Sequence, residues 1–310
     1  MGGVTLCPDG GIMKKLFLYL LLSLVMINVL IPHGIVHAKT TYSDYTEGRF
    51  IGSKMISQGN LTRNSIDIVV DGLPYEGEVF TLKDTAYVGL REFATMADNA
   101  VVSWDSSTET AYVSTDSLSL TVPSRQYYMD ANGRILWCAY GNFTLNGTMY
   151  VPLIQVAHAL GFDYEYSAEN HTTYLTRVRG AIIPGEEFYD ADDLYWLAKI
   201  IHAESRGEPL IGKIAVGNVI LNRVDSDEFP DNIYDVIFDR KNGVQFSPTA
   251  DGAINLTAGA ESVLAAKLCL EDTRLSDTIM YFLNQKMATS FWIVENCTFV
   301  VKIGSHDFYY

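Results

Sequence analysis

One phrase of this chain is written twice. Tyr87-Val88-Gly89-Leu90-Arg91-Glu92-Phe93-Ala94 returns after about 62 residues as Tyr150-Val151-Pro152-Leu153-Ile154-Gln155-Val156-Ala157. Each copy reads as a short strand running into a helix start, followed by a strand, a turn and a second strand. In the first copy those strands are Val101 to Trp104 and Thr110 to Val113, turned by Asp105-Ser106-Ser107; in the second they are Tyr164 to Tyr166 and Tyr174 to Thr176. Ile66 to Val70, ended by Asp71-Gly72, is a further strand ahead of the first copy. Two copies are too few to stack as a solenoid. The repeat therefore predicts a single pseudo-symmetric α+β domain over residues 65–178.

Beyond a linker at 179–188, the pattern changes to helical spacing. Leu194, Leu197, Ala198 and Ile201 fall at i, i+3, i+4 and i+7, which predicts a buried helical stripe ending near Ser205, where Gly207 and Pro209 stop the helix. Residues 210–224 are apolar on nearly every side and predict a central core helix. A short amphipathic piece at 233–238, a helix at 258–270 and strands at 278–283 and 298–303 complete a domain at 189–310. The fold class is α+β, with this second domain mainly helical around a small sheet.

Two carboxylates stand at the end of the first of these helices. Glu204 and Glu208 lie in or just past its last turn, where the helix dipole disfavours negative charge. At about 100° per residue, Glu204 sits at the edge of the apolar stripe. A carboxyl group half-buried there has its pKa raised, as a general acid requires. A solvated helix-end glutamate is the plainer alternative.

Composition narrows the partners. The net charge of −15 argues against nucleic acid and against anionic lipid surfaces. At the N-terminus, Lys14-Lys15, the apolar run Leu16 to Ile31 and Val36-His37-Ala38 form a secretion signal over residues 1–38, cleaved after Ala38. The run is short for a membrane span, so no stable insertion is expected after cleavage. Met13 begins a more typical signal than Met1 does. Residues 39–64 are polar and turn-rich and read as a leader or linker. Cys138, Cys269 and Cys297 remain in the exported chain, and both a Cys269–Cys297 disulfide and unpaired buried thiols are open. No Cys/His cluster has metal spacing, so no metal is expected.

Two resemblances go further. YVGLREFA, VVSWD and YVPLIQVAHALGF resemble the copper amine oxidase N-terminal-like domain, which implies a spacing or wall-attachment role. His158 and His171 are the histidines of this domain and make no copper set. The run from Ala198 to Phe238 (AKIIHAESRGEPL onward), Gly243 to Pro248, Tyr281 to Asn284, Phe291-Trp292 and Ile303 to Tyr309 resemble the SleB-like cell wall hydrolase family, which includes spore cortex-lytic enzymes. That likeness implies a lysozyme-like, lytic-transglycosylase-related fold and a glycan-strand substrate in peptidoglycan, cut between N-acetylmuramic acid and N-acetylglucosamine.

It also implies Glu204 as the catalytic acid and no cofactor. Gln245 and Phe246 occupy the family's Gln-Phe phrase, with Gln245 placed to hydrogen-bond a sugar acetamido group. Tyr281, Asn284 and Trp292 are candidates to line the groove, since aromatic faces pack on sugar rings. Glu208 is a supporting residue, either closing the helix end or raising the pKa of Glu204 as a like charge. His306 is a packed histidine or a base, and Asn222-Arg223 anchors a helix end. Ser305 and Asn284-Gln285 depart from the family pattern. A hydrolase with a second carboxylate and a non-catalytic wall-binding protein are the rival functions.

Overall fold

The two copies of the repeated phrase pair with each other. In the computed structural model, which describes residues 61–310 apart from 242 and 289, the N-terminal part runs β1 (Leu61–Arg63), β2 (Asp67–Val70), β3 (Leu73–Pro74), β4 (Val79–Leu82), β5 (Thr85–Gly89) and α1 (Leu90–Ala94). It continues with β6 (Val101–Asp105), β7 (Thr110–Ser114), β8 (Ser119–Pro123), β9 (Tyr128–Ala131), β10 (Arg134–Trp137) and β11 (Phe143–Leu145). The second copy supplies β12 (Thr148–Pro152), α2 (Leu153–Ala159), β13 (Phe162–Ser167) and β14 (Thr172–Arg177). β5 and β12 are antiparallel, with Val88 opposite Val151 and Tyr87 opposite Pro152. Equivalent residues thus meet across a local two-fold, as the duplication requires.

Three sheets result, in the orders β1-β4-β5-β12-β11, β10-β9-β8-β7-β6 and β13-β14-β2-β3. The β6–β7 turn is closed as its sequence suggests: Asp105 Oδ1 accepts from the Ser107 amide at 2.8 Å. Leu90, Phe93, Leu153 and Val156 carry the apolar faces of α1 and α2 into one buried cluster. Strands β8 to β11, between the copies, had no counterpart in the repeat. Leu61–Arg63, read as leader, forms an edge strand on β4. The secretion signal, its cleavage point and most of the leader lie outside the described residues.

The helical part comprises α3 (Gly185–Phe188), α4 (Ala191–Ser205), α5 (Leu210–Val224), α6 (Ile233–Phe238), α7 (Pro248–Asp251), α8 (Ala260–Leu270) and α9 (Trp292–Asn296). A three-stranded sheet, ordered β15 (Tyr281–Leu283), β17 (His306–Tyr309), β16 (Phe299–Ile303), closes it. Asp190 caps α4, its Oδ1 accepting from the amides of Asp192 and Asp193 at 2.9 and 3.0 Å. The expected stripe is buried: Leu197, Ala198 and Ile201 face α5 and α8. Helix α5 is central, with every residue from Ile211 to Arg223 buried. Gly217 lets the helices approach, because a methyl there would meet Cys269 Sγ at 2.6 Å and Ile201 Cδ1 at 2.9 Å. Cys138, Cys269 and Cys297 are all free thiols, so the Cys269–Cys297 pairing is not formed.

The stretch read as a linker is packed. Ile182 is buried, and the Gly185 amide donates to Asn132 O at 2.8 Å. Close by, Arg134 and Glu271 form a bidentate ion pair, Nε–Oε1 2.8 Å and Nη2–Oε2 2.6 Å, with side chains only 9% and 6% exposed. The Tyr189 hydroxyl donates to Glu271 at 2.7 Å and accepts from the Ile135 amide at 3.0 Å. Lys267 Nζ donates to Gly133 O at 2.9 Å. One apolar cluster continues from Tyr87, Ile135 and Trp137 into Leu197, Ile214 and Ala266. Arg134, Glu271, Tyr189 and Lys267 thus each meet a partner where the junction takes them from water, as burial demands.

Candidate functional site

Helices α4 and α5 meet at a corner, Arg206-Gly207-Glu208-Pro209, and Glu204 stands one residue before the end of α4. Its side chain is half-buried. Burial first, and the negative charge of Asp251 second, push its pKa from 4.5 to about 7. Among the described residues no hydrogen-bond donor or cation meets this carboxyl to hold it ionised. Asp251 is the last residue of α7 and is exposed, with Oδ1 accepting from the Ala253 amide at 2.8 Å. The like charge acting on Glu204 is therefore Asp251 and not Glu208. Nothing in the sequence pointed to Asp251, because α7 reaches α4 only through the fold.

Glu208 turns to the C-terminal hairpin instead. One carboxylate oxygen accepts from the Ser305 amide at 3.0 Å, and the other accepts from the Ser305 hydroxyl. These bonds hold its pKa below the ordinary value despite its burial. The link closes the helix corner onto the turn between β16 and β17. Gly304 sits against this carboxylate at φ +56°, where a methyl group would overlap it. Lys213, buried on α5, donates to Glu208 O and pairs with Glu261 at 2.6 Å. His306 is 7% exposed, its Nδ1 3.8 Å from Glu208 Oε1 and without a hydrogen-bond partner. Burial drives its pKa down more than Glu208 and Asp307 raise it.

A third group gathers around Arg223. This residue, in the last turn of α5, is 4% exposed and donates Nε to Met280 O at 2.8 Å. Its guanidinium lies 4.8, 5.1 and 5.2 Å from the ring centroids of Phe229, Phe246 and Tyr281, which is cation–π range. Nη1 donates to Gln245 Oε1 at 3.3 Å. Burial lowers the Arg223 pKa to about 10, so it stays charged. Read as a helix anchor, Arg223 ties the last turn of α5 to Met280 and is also the hub of this cluster. A lone arginine in a helix apolar all round was the available signal, since a buried cation must gather partners.

The groove residues expected from sequence divide by exposure. Gln245 and Tyr281 are half-exposed, and Trp292, 55% exposed, stands with its ring 6.2 Å from that of Tyr281. Asn284 is half-exposed in the turn after β15, its Oδ1 accepting from the Lys286 amide at 3.1 Å. Phe246 is only 3% exposed, and its ring packs on Arg223 and toward Phe282, 6.3 Å away, rather than facing solvent. The structure thus forms three groups: Glu204 with Asp251; Glu208, Ser305 and His306; and Gln245, Phe246, Tyr281 and Trp292 about Arg223. Residues 245–251 link the first to the third, because Gln245-Phe246-Ser247 leads directly into α7.

Residues 207–309 match the family profile described as Cell Wall Hydrolase, and residues 69–175 that described as copper amine oxidase N-terminal domain. The chain is 37% identical over 120 residues to a spore cortex-lytic enzyme of Halalkalibacterium halodurans, covering 39% of this chain and 35% of that protein. It is 32% identical over 143 residues to the spore cortex-lytic enzyme of Bacillus subtilis, 45% of each. The solved catalytic domain of the germination-specific lytic transglycosylase SleB from Bacillus anthracis is 34% identical, covering 41% of this chain and 100% of that one, with a TM-score of 0.35. The chain spans less than half the length of these curated relatives.

Proposed function

We propose that this chain, whose C-terminal domain belongs to the cell wall hydrolase family, is an exported enzyme that cuts the glycan strands of peptidoglycan. The observation that carries this is Glu204: a half-buried carboxyl group at a helix end, its pKa raised to about 7 by burial first and Asp251 second. Breaking a glycosidic bond requires a proton on the leaving oxygen, and an acid poised near the working pH supplies it. Glu204 donates its proton to the oxygen joining N-acetylmuramic acid to N-acetylglucosamine, and the C1–O bond breaks. The resulting carboxylate then takes the proton of the muramic 6-hydroxyl as that oxygen closes on C1. The products are a free N-acetylglucosamine end and a 1,6-anhydromuramic end. One residue acts as acid and then as base, and the step consumes no water and needs no cofactor.

A true hydrolase is the second reading, and Asp251 is what favours it. Hydrolysis by the usual route needs a second carboxylate across the sugar. Asp251 is the carboxylate whose field reaches Glu204. Gln245, Asn284, Tyr281 and Trp292 serve as groove contacts in either case, with Phe246 packed on Arg223. Glu208 and His306 support the corner. Spore cortex and vegetative wall are both open as targets. Incubating the purified protein with peptidoglycan and weighing the fragments by mass spectrometry separates the readings. Anhydro ends support transglycosylation, and reducing ends carrying solvent oxygen support hydrolysis. Binding without new ends leaves a wall-binding protein. Glu204→Gln abolishes turnover while keeping the fold, and retained turnover in that variant refutes the central role of Glu204.

A further inference from the structure

Arginine is a donor only, with no lone pair to offer. The atom of Gln245 that faces Arg223 Nη1 at 3.3 Å is therefore the amide oxygen, whichever way an amide is otherwise placed. The guanidinium is in turn fixed by Met280 O and by the rings of Phe229, Phe246 and Tyr281. These contacts hold it facing Gln245. With the oxygen held toward Arg223, the Gln245 amide directs its NH2 group away from it, on a half-exposed side chain that shares Arg223 with Tyr281.

We infer that Arg223 is a positioning residue that locks Gln245 as a hydrogen-bond donor, so that the site selects sugars bearing a carbonyl acceptor, the acetamido oxygen. This rests on the glycan-binding reading above and specifies it. A free glutamine amide accepts or donates by flipping and discriminates little between acetamido, hydroxyl and amino groups. A locked one recognises an acceptor, and a site built around one polar group rejects the ligand that lacks its counterpart. A de-N-acetylated sugar presents an ammonium, a donor, and meets the Gln245 NH2 group donor to donor.

The test is a cycle of protein and ligand, measured as affinity in the full chain carrying Glu204→Gln, so that it does not depend on turnover. The probes are glycan strands from purified peptidoglycan, before and after chemical de-N-acetylation. The starting protein prefers the acetylated strands by about ten-fold or more, as one hydrogen bond in a partly desolvated site provides. Adding Gln245→Ala lowers affinity for acetylated strands by about that factor and leaves the de-N-acetylated strands nearly unchanged. Gln245→Glu keeps the Arg223 contact, removes the donor and reverses the preference, because a carboxylate favours the ammonium. Arg223→Lys, checked for fold by circular dichroism, erodes the preference by freeing the amide. No preference in the starting protein, equal losses on both strands in Gln245→Ala, or an unchanged preference in Gln245→Glu overturns the inference. Turnover by the chain without Glu204→Gln reports separately on the catalytic role.

Discussion

Replacing Glu204 with glutamine should stabilise the protein, and only above the acid range. In the folded chain burial and Asp251 raise this carboxyl from 4.5 to about 7. Between those values the folded state holds more protons than the unfolded one, so stability falls as pH rises through the window. Below about pH 4 the group is protonated in both states and costs nothing; above about pH 7 the cost is complete. At 1.36 kcal/mol per pH unit, a rise of this size amounts to about 3 kcal/mol. Glu204→Gln removes the charge and with it the cost. Thermal unfolding of both proteins at pH 4 and pH 8 measures it. The difference in Tm between variant and parent should grow by about 6–12 °C from the lower pH to the higher, at about 2–4 °C per kcal/mol. Any constant cost of seating the amide cancels in that comparison. An equal Tm difference at both pH values, or a variant that loses ground at pH 8, would show that Glu204 is solvated and ionised, and the proton donor would have to be sought elsewhere.

The same titration sets the pH dependence of turnover: the rate should fall about ten-fold per pH unit above pH 7, as the acid is lost, and a rate rising to pH 9 would contradict the assignment. Arg134→Met leaves Glu271 buried with Tyr189 alone, and denaturant unfolding should show a loss of about 3–5 kcal/mol, most of it recovered by adding Glu271→Leu. Gly304→Ala forces a left-handed residue and the Glu208 carboxylate apart, and should lower stability by about 1–3 kcal/mol, visible as a reduced Tm. Trp292→Ala, at an exposed position, should leave Tm within a degree or two while weakening binding of glycan strands in a sedimentation assay; a folding defect instead would mark Trp292 as structural.

The repeat and the helical stripes of this chain were legible because each is a local rule. A strand alternates, a helix returns every three to four residues, and a duplicated phrase must pair with itself or stack. Val88 opposite Val151 follows from that symmetry. Helix α4 starts at its Asp190 cap and stops short of Gly207 and Pro209, and Glu204 stands at the helix end for that reason. Other features were settled only by packing. Phe246 carried the family phrase but faces inward, because its ring is needed against the Arg223 guanidinium. Glu208 and Ser305 are 97 positions apart and share hydrogen bonds because a hairpin returns to the helix corner.

Sequence by itself determined the duplication, the main helices α4, α5 and α8, and the candidate acid, since these depend on neighbours along the chain. Tertiary structure decided what each charge feels. That Asp251 and not Glu208 lies in the field of Glu204, that Arg223 gathers three rings and a glutamine, and that Arg134 meets Glu271 across the packed junction, all depend on which surfaces close over one another. Coulomb energies and desolvation vary with distance in space and with the water excluded, and neither quantity is written in the spacing of residues.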